Sequence, residues 1–387
     1  MRTRLLYHLR TRSLVALPLL LLPLLLAAPS PAQDSATRSF RMGFTPFVHD
    51  ATPQATREMR AFLAENADIL AVHLDGVPWV EALADKPYHP KLMKEWQDKA
   101  AARPPKAKVY LAISPLDNGR KGMSPSRGAN KGEPIPPELR GKPLDDPQVE
   151  RAYLQYCRQA VAYFKPDYLC IGIEANELFH HSKASWPGYV ALHKHVYAAI
   201  KAENPALPVF ASFSVHNMLN RGWKDRAEML EAYKALMDHN DLVAISFYPF
   251  MGGLSGQVDA ALTWLDTEFA PYHKPFAVAE MGQPAEKLAI PSLAMTLDGD
   301  PQSQAAFHGK ILAFARAHTT AFVISFLYRD YDALWERIKA TAPEAFIVWR
   351  DCGLLDGNGA KRPAYEVWRN AFQIPLREPA TRTPPPQ

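Results

Sequence analysis

Cysteine is scarce: Cys157, Cys170 and Cys352 are the only three in 387 residues, an odd number too small for a disulfide framework. Cys170 sits inside an apolar run and reads as a small buried hydrophobe. Cys157 and Cys352 can pair only if the fold brings them together. No Gly-rich turn follows the first expected strand, which removes the signature of a nucleotide site. No HExxH or equivalent ligand spacing occurs. Neighbouring histidines such as His180 and His181 point different ways, and His193 and His195, two apart on a helix, do not share a face, so neither pair reads as a metal centre. There is no internal repeat. Excess charge is absent too: of 44 Lys+Arg, four arginines (Arg2, Arg4, Arg10, Arg12) lie in the first 32 residues, leaving 40 to balance 40 Asp+Glu. The sequence pI of 8.8 therefore owes much to that segment, and nothing points to nucleic acid or an anionic membrane surface.

Those arginines precede an apolar run from Leu14 to Ala28 that contains Pro18 and Pro23, followed by the small residues Ser30 and Ala32. This is the pattern of a secretory signal peptide over residues 1–32. The run is shorter than the ~20 apolar residues of a spanning helix and is broken by proline. No cysteine follows it for a lipid anchor. An exported chain is expected, periplasmic or extracellular, with no stable membrane insertion after cleavage. Residues 33–376 read as one domain, and 377–387, ending in PPPQ, as a disordered tail. Proline, at 35 residues, is about twice the usual share and implies stiff connections.

Eight short apolar runs read as strands: Ser39–Phe44, Ile69–Leu74, Val109–Ser114, Tyr168–Ile173, Val209–Phe213, Leu242–Phe247, Phe276–Ala279 and Phe322–Phe326. Helical patterns separate most of them, at Pro53–Asn66, Val149–Phe164, Trp186–Asn204, Arg226–Asn240, Val258–Phe269, Gln302–His318 and Pro363–Phe372. Eight βα units predict an α/β fold of the (β/α)₈ barrel type rather than a doubly wound sheet. The long Gly-, Pro- and Lys-rich segment Leu116–Pro147 would follow the third strand on the catalytic face, where a loop of that length is usually functional.

Chemistry concentrates at DYLCIGIEANEL, Asp167–Leu178, where a buried strand ends in Glu174, Asn176 and Glu177. An Asn-Glu pair at a strand end also suits the start of a helix. What favours a site is a second carboxylate, Glu280, at the end of strand seven in FAVAEMGQP, because the carboxyl ends of barrel strands open onto one face. Two carboxylates there can cleave a glycosidic bond, one protonating the departing oxygen and the other attacking the anomeric carbon. A neighbouring carboxylate and partial burial raise the acid's pKa in the required direction.

The Asn-Glu pair after strand four, the Glu after strand seven and FYPF at Phe247–Phe250 together resemble clan A of the glycoside hydrolases over nearly the whole mature chain. The resemblance implies Glu177 as general acid/base, Asn176 as ligand of the sugar 2-hydroxyl, Glu280 as nucleophile and Tyr248 as the group that orients it, with no cofactor. Gly353–Trp368 looks like the clan's closing segment, and DLVAISFYPF at Asp241–Phe250 is similar to the endo-β-1,4-galactanases. Two features depart from the pattern. No arginine lies near the second strand, whose end carries His73 and Asp75 instead, and strand eight ends in SFLYRD rather than in a tryptophan platform.

Glu174 lies at the same strand end, but the adjacent Asn176 favours Glu177 and leaves Glu174 as a supporting carboxylate. Among aromatics near strand ends, Trp79, Trp186, Tyr328 and Trp349 are candidates to stack on sugar rings, Trp79 first. His216 and Asn217 after strand five are candidate hydroxyl ligands. The expectation is thus an exported retaining glycosidase for a β-linked poly- or oligosaccharide. Its competitors are a carbohydrate-binding barrel without turnover, and a metal-dependent barrel hydrolase using His73, Asp75, Glu174 or Glu280.

Overall fold

The computed structural model describes residues 37–377. The leader read at 1–32, and all but the first residue of the tail read at 377–387, lie outside the described residues. The apolar runs become β1 (Arg41–Phe44), β2 (Ile69–Leu74), β3 (Lys108–Ile113), β4 (Tyr168–Cys170), β5 (Val209–Phe210), β6 (Ser212–Ser214), β7 (Val243–Phe247), β8 (Phe276–Met281) and β11 (Thr320–Ser325). They are parallel and ordered β5-β4-β3-β2-β1-β11-β8-β7-β6. Only Ala211 separates β5 from β6, so the two edges of this nine-segment sheet are halves of one strand. The sheet closes on itself as an eight-stranded (β/α)₈ barrel, as expected.

Side-chain alternation packs both faces. Ala71, Tyr110, Ala112, Cys170, Phe210, Ala244, Ala277, Ala279 and Phe322 fill the interior, small alanines making room for three large rings, so the barrel is a packed core and not a pore. Their strand neighbours, such as Val109, Leu111 and Ile113, pack outward with the helices in a second, larger core. The three cysteines are buried and free.

Helices Pro53–Asn66, Val258–Phe269 and Pro363–Phe372 occupy the expected bounds. Proline has a definite use here. Thr52, Asp146 and Asp300 each cap a helix amino terminus with a side-chain oxygen, and proline follows immediately, where its missing N–H costs nothing. The periodicity gave no warning of two short helices between β2 and β3, Trp79–Ala84 and Pro90–Ala100, or of the antiparallel hairpin β9 (Lys287–Ile290) and β10 (Met295–Asp298). That hairpin packs Ile290 and Leu297 against Val348. Among the described residues no helix is long and apolar enough to cross a membrane.

Candidate active site

Strict alternation along β8 would send Glu280 outward with Val278, because Ala277 and Ala279 point into the barrel. A bulge prevents this. Between Val278 and Met281, β8 carries one residue more than either neighbour: Ile245 and Ser246 pair with Val278 and Glu280, while Val323 and Ser325 pair with Val278 and Met281. The extra residue turns Glu280 into the barrel mouth while Met281 still faces the outer core. There Glu280 is 7% exposed. Tyr248 donates its hydroxyl to Glu280 Oε2 at 2.9 Å, and His73 Nδ1 lies 3.5 Å from Oε1. Burial, reinforced by Glu280, holds the Tyr248 phenol protonated, and burial keeps the His73 imidazole neutral. Tyr248 therefore donates to Glu280, and His73 stands beside it.

Across the mouth, β4 ends early and its chain turns back on itself. Gly172 is required there, since a Cβ would stand 2.0 Å from the Tyr189 hydroxyl. Two residues on, Glu174 adopts φ +49°, a left-handed backbone that an ordinary side chain adopts at a cost. The turn is held by Ser212, whose hydroxyl accepts from Glu174 N at 3.0 Å and whose carbonyl accepts from Ala175 N at 3.0 Å. The Glu174 carboxyl thereby joins Glu280, Tyr248 and His73 in lining a cavity of about 200 Å³. Arg120, from the long loop after β3, donates to Glu174 Oε2 at 3.2 Å. Burial, the nearby Glu177 and Glu280 together outweigh Arg120, and the Glu174 pKa is pushed up to about 8. At neutral pH Glu174 is a carboxylic acid, able to give a proton.

Asn176 and Glu177 begin the short helix Asn176–His181, the alternative that the sequence also allowed. Asn176 does not reach the cavity. It is fully buried, its Oδ1 accepts from Ser214 N at 2.9 Å, and its amide faces Ser214 Oγ and Met229 Sδ. Its polar atoms are spent joining β6 to the helix, away from the cavity in which the sugar 2-hydroxyl was expected. Glu177 stands outside the residues that line the cavity, its Oε1 accepting from Asn217 at 2.6 Å. It remains within 4.8 Å of Glu174 and His216. His216 is buried, and burial lowers its pKa to about 4. Its Nδ1 accepts from Tyr248 N at 3.4 Å, so the proton resides on Nε2, the tautomer that does not suit a metal at Glu174, Glu177 and His216.

Three of the four aromatic candidates lie away from the cavity. Trp79 is fully buried, with its indole N–H given to Ser124 O at 2.9 Å. Tyr328 is buried, with its hydroxyl 2.6 Å from His49 Nδ1. Neither is free to stack on a sugar, and Trp186 is buried against Phe179. The aromatic wall of the cavity comes from the fourth candidate, Trp349, with Phe47, Phe326 and Phe346. Trp349 ends the segment Glu344–Trp349 and restores the ring that strand eight itself lacks. Asp75 is exposed, lines the cavity and pairs with Lys131 at 2.8 Å. Arg120 was missed. The signal available for it was the unusual length and basic character of Leu116–Pro147, which also supplies Asn118 to the wall.

This places two glutamates and a tyrosine at the carboxyl-terminal mouth of a (β/α)₈ barrel, and solved glycoside hydrolases share the fold. The chain superposes on GH5_18 from Streptomyces cattleya, solved with GlcNAc, at a TM-score of 0.60 and 15% identity over 91% of this chain and 83% of that one. GH5_18 from Bifidobacterium longum subsp. infantis gives 0.58 and 14% over 89% and 81%. The Ignisphaera aggregans GH53 catalytic domain gives 0.56 and 16% over 90% and 98%. At these identities the likeness establishes the fold. No protein-family model matches the chain, and no curated protein matches it.

Proposed function

We propose that the protein is an exported retaining glycosidase for a β-linked saccharide, with Glu280 as nucleophile and Glu174, in place of Glu177, as general acid/base. The observation that carries this is the shared cavity in which a Glu174 of raised pKa faces a Glu280 bonded by Tyr248, with His73 beside it. Glu174 protonates the glycosidic oxygen as Glu280 attacks the anomeric carbon, and the bond to the leaving group breaks. Ester formation removes the Glu280 charge, which lowers the pKa of Glu174 and lets it take a proton from the incoming water in the second step. The two carboxylates that raise its pKa are Glu177 and Glu280, so one of the two repulsions vanishes as the intermediate forms.

The wall of Phe47, Phe326, Phe346 and Trp349 suits the apolar C–H face of a pyranose, and the cavity accepts about one ring. The sequence likeness to endo-β-1,4-galactanases and the fold shared with a GH53 catalytic domain make β-1,4-galactan the first substrate to try. Manβ1-4GlcNAc, which is bound in a GH5_18 variant from Streptomyces cattleya, is the second. The leader-like amino terminus supports export.

The test is hydrolysis of a panel of β-linked glycans and aryl β-glycosides, followed by incubation with the matching 2-deoxy-2-fluoro glycoside and peptide mass spectrometry. Turnover, and a label on the peptide containing Glu280, are expected. Turnover without a label there would reject the assignment of the nucleophile, and the absence of turnover across the panel would reject the enzyme.

A further inference from the structure

Arg120 reaches the site from a part of the chain far from both glutamates. It sits in a tight turn closed by Asp117 N→Gly122 O and Arg120 N→Asp117 O, each 3.0 Å, with Lys121 N bound to Asp117 Oδ1 at 2.8 Å. Its φ is +52°. Of the other non-glycine residues with positive φ, Asp85, Lys165, His273 and Ala294 terminate helices, where that conformation is ordinary, and Lys106 lies in the turn before β3. Arg120 and Glu174 terminate none, yet both are left-handed and their side chains meet. The arginine is 9% exposed. One terminal nitrogen is tied to Asp117 O at 2.9 Å and the other to Glu174 Oε2 at 3.2 Å. A guanidinium anchored to its own turn in this way has little freedom, and the carboxyl it touches inherits that restraint.

We propose that Arg120 is a positioning residue that fixes the Glu174 carboxyl toward the leaving-group oxygen and sets the pH at which that carboxyl gives up its proton. This rests on Glu174 being the acid. The groups facing Glu174 are Glu177 from its own segment, Arg120 from the loop after β3, Glu280 from β8, His216 after β6, Tyr110 from β3 and Tyr248 after β7. Of these Arg120 alone is cationic: His216 is neutral and both tyrosines are protonated. Removing it leaves burial and two like charges, which favour the protonated form, opposed only by the smaller pull of the Ser246 hydroxyl.

The experiment is the pH dependence of kcat/KM for Arg120→Ala, Arg120→Gln and Arg120→Lys, with the phenyl and 2,4-dinitrophenyl β-glycosides of the sugar the wild type hydrolyses, and circular dichroism to confirm folding. The alkaline limb should move up by about 1–3 units in the Ala and Gln variants, the range for losing an adjacent opposite charge, and return toward wild type in Lys. The rate loss should be larger with phenol, a poor leaving group that needs the acid, than with dinitrophenol. Folded Ala and Gln variants whose limb stays in place, or moves down, would overturn the proposal. Glu174→Gln separates the two levels: if it hydrolyses the phenyl glycoside at the wild-type rate, Glu174 is not the acid and the assignment beneath the proposal fails. If it is inactive while the Arg120 limb stays fixed, the role of Arg120 alone fails.

Discussion

Glu174→Gln should cost activity and increase stability, and the size of the gain follows from the site. Burial, Glu177 and Glu280 raise the Glu174 pKa from 4.5 to about 8 against the pull of Arg120. At about 1.36 kcal/mol per unit, a rise of this size corresponds to a cost on the order of 5 kcal/mol for ionising the carboxyl in the folded protein. Below pH 4.5 the group is neutral in the folded and unfolded states and contributes no difference. Between 4.5 and about 8 the unfolded chain ionises and the folded one does not, so stability falls by about 1.4 kcal/mol per pH unit, and above 8 the loss is complete. Glutamine, neutral throughout, escapes it. Urea unfolding at pH 5 and at pH 8.5 should therefore find Glu174→Gln close to wild type at the lower pH and more stable by at least about 2 kcal/mol at the higher one, allowing for incomplete desolvation. Hydrolysis of a phenyl glycoside should fall by about 10²–10⁴-fold, the usual share of a general acid. Glu177→Gln is the control: it keeps the acid, removes one like charge and should shift the alkaline limb of kcat/KM downward with most of the rate retained. A Glu174→Gln protein less stable than wild type at both pH values, or one within tenfold of the wild-type rate on the phenyl substrate, would refute the reasoning.

Two further substitutions test neighbouring parts of the site. Tyr248→Phe removes the 2.9 Å hydrogen bond to Glu280. A bond to a charged group contributes about 1.5–3 kcal/mol, so kcat/KM should drop roughly 10–100-fold with little change in unfolding midpoint, measured by steady-state kinetics and thermal melts. Asn176→Ala leaves the Ser214 N–H buried and unpaired and should destabilise the barrel by about 1–3 kcal/mol in denaturant titration. The rate of the remaining folded enzyme should stay close to wild type, whereas a large loss of kcat in a fully folded variant would restore Asn176 to the site.

Much of the architecture was legible because it depends on local pattern. Ile69–Leu74 is apolar but for His73 and buried on both faces, and Val258–Phe269 and Pro363–Phe372 carry helical periodicity bounded by turns and proline, so their bounds could be read directly. The hairpin β9 and β10 could not: its strands are four residues each and mostly exposed or half-buried, and they are stable only because they pack on Val348. Trp79 looked like a platform from its place after strand two, but a fully buried indole is a property of what surrounds it, which no neighbouring residue in sequence announces.

The sequence by itself determined the eight βα units, the cluster of acids at the end of strand four, and Glu280 with Tyr248 facing the same mouth, because strand order and polarity in a parallel barrel dictate which ends open together. Only the tertiary structure decided which atoms meet. The bulge in β8 turns Glu280 inward against its own alternation, the left-handed turn at Glu174 brings that carboxyl into the cavity while the following helix draws Asn176 and Glu177 aside, and the turn after β3 carries Arg120 to meet it. Register shifts, backbone handedness and loop placement each depend on neighbours distant in the chain, so one residue of slip decides whether a carboxyl enters the cavity or leaves it.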